Sequence, residues 1–175
     1  MRHRRYWLQS AGIGAVMILA LSWASPAWAP GCPSCNTTSL FLPLSGLFFY
    51  PAGPGRPGEN VSLTGDVHVV SKVEAVVGGK FLTDIHLNMA GLTGTGQDTG
   101  AMYIGTGSTK FLNVAYPPSP VIPADPLLAT FSIERTGRGA SVPLSLKFAL
   151  IFGTDGKLLP SSTVSVAACN TDGCS

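Results

Sequence analysis

Residues 61–69 read Val-Ser-Leu-Thr-Gly-Asp-Val-His-Val, and residues 84–89 read Asp-Ile-His-Leu-Asn-Met. In both stretches the apolar side chains fall on odd numbers and the polar ones on even numbers. A period of two is the mark of a strand with one face in a core and the other in water. The first strand extends to about Val77, where Gly78-Gly79 turns the chain back into the second. Each strand carries the same polar pair, Asp66-x-His68 and Asp84-x-His86.

Residues opposed across an antiparallel hairpin share a face. To bring Val67 and Val69 onto the face of Leu87 and Met89, the numbers of opposed residues must add to an even sum. A plain two-residue Gly78-Gly79 turn gives 157, which is odd, so a longer loop or a bulge at the glycines is needed. A sum of 154 sets His68 opposite His86, and a sum of 156 sets it opposite Asn88. In the first register Asp66, His68, His86 and Asn88 form one patch. Two imidazoles and a carboxylate are a donor set for a divalent metal, and the same residue types do acid–base work. Asp66, His68, Asp84 and His86 are therefore the candidate metal ligands. The competing reading is a solvated polar strand face, the default for antiparallel sheets. Beyond the targeting segment no third histidine exists to complete a catalytic zinc site, so a further ligand would be Asp, Glu or Cys.

The rest of the chain follows the same pattern. Leu40–Tyr50 is apolar and broken by Pro43 and Gly46, which predicts one or two short buried strands. Pro51–Glu59 is a Pro/Gly loop. Strand patterns return at Ala101–Gly105, Lys110–Tyr116, Leu127–Arg135, Val142–Phe152 and about Leu158–Ala167. Turns are expected at Gly137–Gly139 and Thr154-Asp155-Gly156, and a proline-rich loop at Tyr116–Pro126. The expected fold is all-β: an antiparallel sandwich of about eight strands, with a small barrel as the alternative, preceded by an N-terminal signal helix. The segments are 1–29 (targeting), 30–60 (Cys/Pro/Gly-rich, with short apolar strands), 61–168 (sandwich core) and 169–175 (Cys-containing tail).

The targeting segment has a basic start at Arg2, Arg4 and Arg5 and an apolar run over Ala11–Leu21. Small residues follow, Ser25-Pro26-Ala27 and Ala27-Trp28-Ala29. Cleavage after Ala27 or Ala24 is preferred, because cleavage after Ala29 would leave Pro30 first. The apolar run is short for a membrane span, so contact with a membrane is confined to this segment if it is retained. Arg4-Arg5 loosely resembles a twin-arginine export signal, but His3 stands where a serine or threonine belongs. Without Arg2, Arg4 and Arg5 the 11 lysines and arginines become 8 against 9 acids, so the mature charge is 8 − 9 = −1. That leaves no basic patch for nucleic acid. Trp7, Trp23 and Trp28 also fall in this segment.

Cys32, Cys35, Cys169 and Cys174 lie at the two ends of the mature chain. In an exported protein they read first as disulfides, with three pairings open. Crosslinks between the ends would close long loops, each stabilising by roughly 4–5 kcal/mol in the chain-entropy picture. A four-thiolate zinc knuckle is the alternative.

Other motifs carry little. Gly91–Gly100 has the wrong glycine spacing for a dinucleotide loop, and 105–110 lacks Gly-Lys-Ser/Thr in that order. No G-x-S-x-G elbow occurs. Tyr50, Tyr103 and Tyr116 are the mature chain's only large aromatic platforms for a sugar besides phenylalanine, and core or rim packing is their expected role. The sequence thus favours an exported, non-catalytic structural or binding module of the cell envelope or extracellular space, with no cofactor. Its partner would be another envelope protein or a second copy. One alternative is a divalent-metal-binding protein or metal-dependent hydrolase using the two Asp-x-His strands. The other is a strand-exchanging subunit donating Leu40–Tyr50.

Overall fold

The computed structural model describes residues 36–117, 126–137 and 140–167, with the backbone of 169–170 and 173–174. The expected targeting segment, Cys32, Cys35 and the centre of the proline-rich loop lie outside the described residues, as do the side chains of Cys169 and Cys174. All described secondary structure is β. The strands are β1 (Thr37–Tyr50), β2 (Glu59–Val77), β3 (Lys80–Gly96), β4 (Met102–Thr106), β5 (Ser108–Tyr116), β6 (Leu127–Arg135), β7 (Val142–Ala149) and β8 (Thr163–Val166). A small separate hairpin joins β9 (Cys169–Asn170) to β10 (Gly173–Cys174), with Cys169 and Cys174 in register opposite one another.

The eight main strands do not divide into two hydrogen-bonded sheets. They form one antiparallel sheet in the order β1-β2-β3-β4-β6-β7-β8, with β5 also on β3. The sheet curls until β8 lies against β1, where a Cβ added to Gly46 would stand 3.0 Å from Val166 Cγ2. Taking β4 and β5 as one position, seven antiparallel positions leave β1 and β8 running in the same direction. No ladder joins them. The seam is closed by side chains and by two bonds from the start of β1 to the β7–β8 connection. Asn36 Nδ2 donates to Asp155 O (2.5 Å), and Leu158 N donates to Thr38 Oγ1 (3.3 Å). The architecture is a nearly closed barrel, so of the two expected arrangements the observed sheet follows the barrel pattern.

Periodicity explains the interior. Val61, Leu63, Val67, Val69 and Val73 of β2 are buried, as are Phe81, Ile85 and Leu87 of β3 and Leu144, Leu146 and Phe148 of β7. A nonpolar side chain fully buried in this way contributes about 1.5–3 kcal/mol. β1 differs from the expectation of short buried strands. It is one 14-residue strand with alternate exposure. Pro43 does not interrupt it, because β1 ends the hydrogen-bonded order and an edge strand tolerates a missing N–H.

The β2–β3 hairpin solves its parity problem in an unexpected place. Gly78 and Gly79 do make a two-residue turn, with φ of 57° and 75°, and Val77 opposes Lys80. The bulge sits farther on, between Val73 and Ala75, where Glu74 is the extra residue. From there the register is that of sum 156: His68 faces Asn88 and Val69 faces Leu87. A second shift falls between Thr64 and Asp66, opposite Gly91. It moves the dry positions of β3 from odd to even, onto Leu92, Gly94 and Gly96. The two backbones nearly touch at this bulge. A Cβ on Gly65 (φ 150°) would lie 2.7 Å from Leu92 Cα.

Candidate functional site: the barrel mouth and the outer face of the sheet

The register spreads the four candidate ligands along one outer face. Asp66 faces Ala90, His68 faces Asn88, Val70 faces His86 and Lys72 faces Asp84. His68 and His86 are diagonal neighbours, about 7–8 Å apart. Asp66 and Asp84 are separated by about 20 Å, six residues of strand at the usual rise. Among the described residues no group of three or more His, Cys, Asp or Glu is close enough to hold a metal ion.

Three of the four have structural partners or neighbours. His68 stacks on Phe41, its direct cross-strand partner, with ring centroids 4.5 Å apart and planes 14° apart. Its Nε2 shares a 2.7 Å hydrogen bond with Ser39 Oγ. Asp84 serves a bulge in β5. There Ile85 faces Phe111 and Thr83 faces Val114, which sets Leu112 and Asn113 together against the single residue Asp84, with Asn113 at φ 54°. The Asn113 N–H donates to Asp84 Oδ1 (3.0 Å), and Lys110 Nζ lies 3.9 Å from Oδ2. His86 is exposed and lines a shallow open depression with Val70, Lys72, Glu74, Asp84 and Lys110.

Ser39 and His68 form a hydroxyl–imidazole pair that the sequence pattern does not single out. Nucleophilic catalysis asks for more: a group orienting the imidazole and donors for an oxyanion. Among the described residues no carboxylate reaches His68, and the pair stands on an open sheet face beside Phe41, which is 62% exposed.

The one buried carboxylate among the described residues lies elsewhere. Glu59, read from sequence as the end of a loop, is the first residue of β2 and is 3% exposed. Its odd number was the available signal, since Val61, Leu63 and Val67 share that parity and are buried. Tyr103 OH donates to Glu59 Oε1 (2.6 Å). Thr99 Oγ1 lies 2.9 Å from both carboxylate oxygens, and Thr99 N donates to Oε2 (3.2 Å). These donors, Tyr103 first, hold the Glu59 carboxyl below the usual carboxylate range even though burial opposes ionisation. Burial, then the bond to Glu59, pushes the Tyr103 phenol up to about 12. Gly96 leaves the carboxylate its space: a Cβ there would collide with both Glu59 oxygens.

Above Glu59 the ring of Tyr50 packs on Tyr103, centroids 4.9 Å apart. Tyr50 OH donates to Ala140 O (2.6 Å) and accepts from Arg56 Nη2 (3.1 Å), and the Arg56 guanidinium lies 4.5 Å from the Tyr50 ring centroid. Arg56 is held there by a tight turn, Gly53-Pro54-Gly55-Arg56, with Gly55 at φ 73°. Proline then glycine at the central positions fits a type II turn. Arg135 stands directly across from Tyr103 in the β4–β6 ladder, and so on the inward face at the rim. Arg56, Arg135, Pro54, Gly55, Thr136, Gly137 and Ala140 line an open cleft of about 620 Å³ at this end of the barrel. Tyr50, Tyr103 and Tyr116 are all buried, so none offers a sugar a stacking surface.

In comparisons with known proteins, no family model, no curated protein and no solved structure matches this chain.

Proposed function

We propose that the protein is an exported, non-catalytic binding module of the cell envelope or extracellular space, working through the mouth of its barrel. The observation that carries this reading is the composition of the mouth. A Glu59–Tyr103–Tyr50–Arg56 network lies beneath an open cleft whose lining, among the described residues, holds no carboxylate, histidine or cysteine. Preformed concave sites with a few fixed polar groups are the usual form of binding sites. The 51–58 loop, held by its Gly53–Arg56 turn, supplies one wall. The barrel is read as flattened, its β1-β2-β3-β5 half facing its β4-β6-β7-β8 half in the manner of a sandwich. Residues 1–29 are read as the export signal.

The test assays purified mature protein against carboxylic esters, phosphoesters, glycosides and peptides, alongside cell fractionation with mass spectrometry of the N-terminus. No turnover is expected, and the exported chain should begin after Ala24 or Ala27. Turnover abolished by Ser39→Ala or His68→Ala would sink the non-catalytic reading. A cytosolic chain that keeps Met1 would sink the export reading.

A second reading is favoured by β1. This strand ends the sheet order, and its outward Phe41, Leu47 and Phe49 are 62%, 57% and 62% exposed. Apolar side chains on an edge strand suit association with a second copy or another envelope protein. Sedimentation across a concentration series tests it: a species that stays monomeric throughout rules out self-association.

A further inference from the structure

The lining of the mouth is selective in charge. Two guanidiniums, Arg56 and Arg135, meet there, and among the described residues neither is in a salt bridge. The nearby carboxylate, Glu59, is sealed below the floor and saturated by Tyr103 and Thr99. It offsets one positive charge and leaves the other. Arg56 is preorganised, pinned between the Gly53 backbone and the Tyr50 ring, where a Cβ on Gly53 would stand 2.8 Å from Arg56 Nε. Among the described residues its buried Nη1 has no hydrogen-bond partner. Nη1 is closed to the cleft and Nη2 is engaged by Tyr50, so Arg56 acts on a ligand chiefly through its charge, which a counter-charge nearby would offset.

We propose that the mouth cleft binds a small organic anion through an oxyanion group, carboxylate or phosphate, held between Arg135 and Arg56. This rests on the binding-module reading above. Guanidinium forks match the geometry of both oxyanions, and a ring-stacked arginine loses little freedom on binding. The cleft has the volume of a small-molecule site, well beyond that of a lone inorganic ion. The ligand therefore carries a body that fills the space over Pro54, Gly55 and Gly137.

The experiment is isothermal titration of the mature protein with citrate and, separately, with inorganic phosphate. Two variants accompany it: Arg135→Gln, which removes one fork, and Thr136→Asp, which puts a carboxylate on the exposed lining without touching the core. Saturable binding of either probe is expected, weakened about tenfold or more in both variants and weakened further by added salt. The stronger probe assigns the group as carboxylate or phosphate. Melting curves of the two variants confirm that they are folded, and Thr136→Asp remains informative if Arg135→Gln is not. No saturable binding of either probe, or binding equal in wild type and Thr136→Asp, overturns the proposal and leaves the non-catalytic reading standing. Turnover in the parallel activity assays would instead overturn that reading itself.

Discussion

Tyr103 donates its phenolic hydrogen to Glu59 Oε1 across 2.6 Å, joining residues 44 positions apart at the closed floor of the barrel mouth. The bond fixes the first residue of β2 to the strand that continues the sheet beyond β3. It also makes an ionised side chain tolerable in a dry place, since a carboxylate so buried needs its oxygens filled.

Replacing Tyr103 with Phe keeps the ring against Tyr50 and removes only the donor. Hydrogen bonds to charged groups contribute about 1.5–3 kcal/mol, and the buried Oε1 would be left with only its share of the Thr99 hydroxyl. Urea unfolding of Tyr103→Phe should show a loss of about 2 kcal/mol with an unchanged m-value. A loss within experimental error would mean that Glu59 relaxes to water.

The same pair contributes to the pH dependence, beside the Tyr116 phenol raised by burial and the Asp155 carboxyl lowered by its bonds to Lys157. The folded-state pKa of Glu59 is depressed, so its contribution to stability is present above the ordinary carboxylate range and disappears as pH falls through the lowered value. The Tyr103 phenol is raised from 10.0 to about 12, so its contribution is intact below pH 10 and is lost as pH rises toward 12. Melting temperatures measured across pH should fall in both the acid and the alkaline range. Glu59→Gln should flatten the acid limb, and Tyr103→Phe should weaken the alkaline one.

Gly65 is a backbone requirement. Its φ is 150°, and a methyl group there would come within 2.7 Å of Leu92 Cα, which leaves no room for alanine. Gly65→Ala should cost about 1–3 kcal/mol, the usual range for enforced backbone strain. Chemical denaturation measures it, and an unaltered midpoint would show that the bulge can shift.

The outer-face residues should act separately. Asp84→Ala removes the acceptor of the Asn113 N–H and should cost about 1 kcal/mol. His68→Ala loses a stacked ring and an exposed hydrogen bond, about 1 kcal/mol or less. Elemental analysis of the purified protein and of His68→Ala and His86→Ala should give the same substoichiometric zinc content. One equivalent of zinc, lost in both variants, would restore the metal reading.

Some of this arrangement was legible in order along the chain. The parity of Leu63 to Val69 and of Ile85 to Met89 appears as alternating burial that weakens at half-buried Met89, because a strand between core and water imposes a period of two. The place of the turn, Gly78-Gly79, followed from residues suited to positive φ, whereas its two-residue length did not, because the parity argument asked for a longer loop or a bulge at the glycines. The bulge at Glu74 was not legible at its true position. Any extra residue restores parity, so parity alone does not choose its position. Asp84 looked like a ligand because its partner, a bulge N–H 29 residues away, leaves no mark nearby in sequence. Glu59 was hidden for the same reason, since the groups that make its burial bearable come from residues 99 and 103.

Read from the chain alone were local features: an all-β pattern, the faces of its strands and several of its turns. Those features depend on neighbours one to four residues apart. The tertiary structure alone decided that the strands form one nearly closed sheet, that the two Asp-x-His pairs spread along an open face, and that Arg56 and Arg135 meet over a sealed Glu59. Each of these depends on which distant segments come together, and that is settled by register and closure, to which the pattern of any single strand is indifferent.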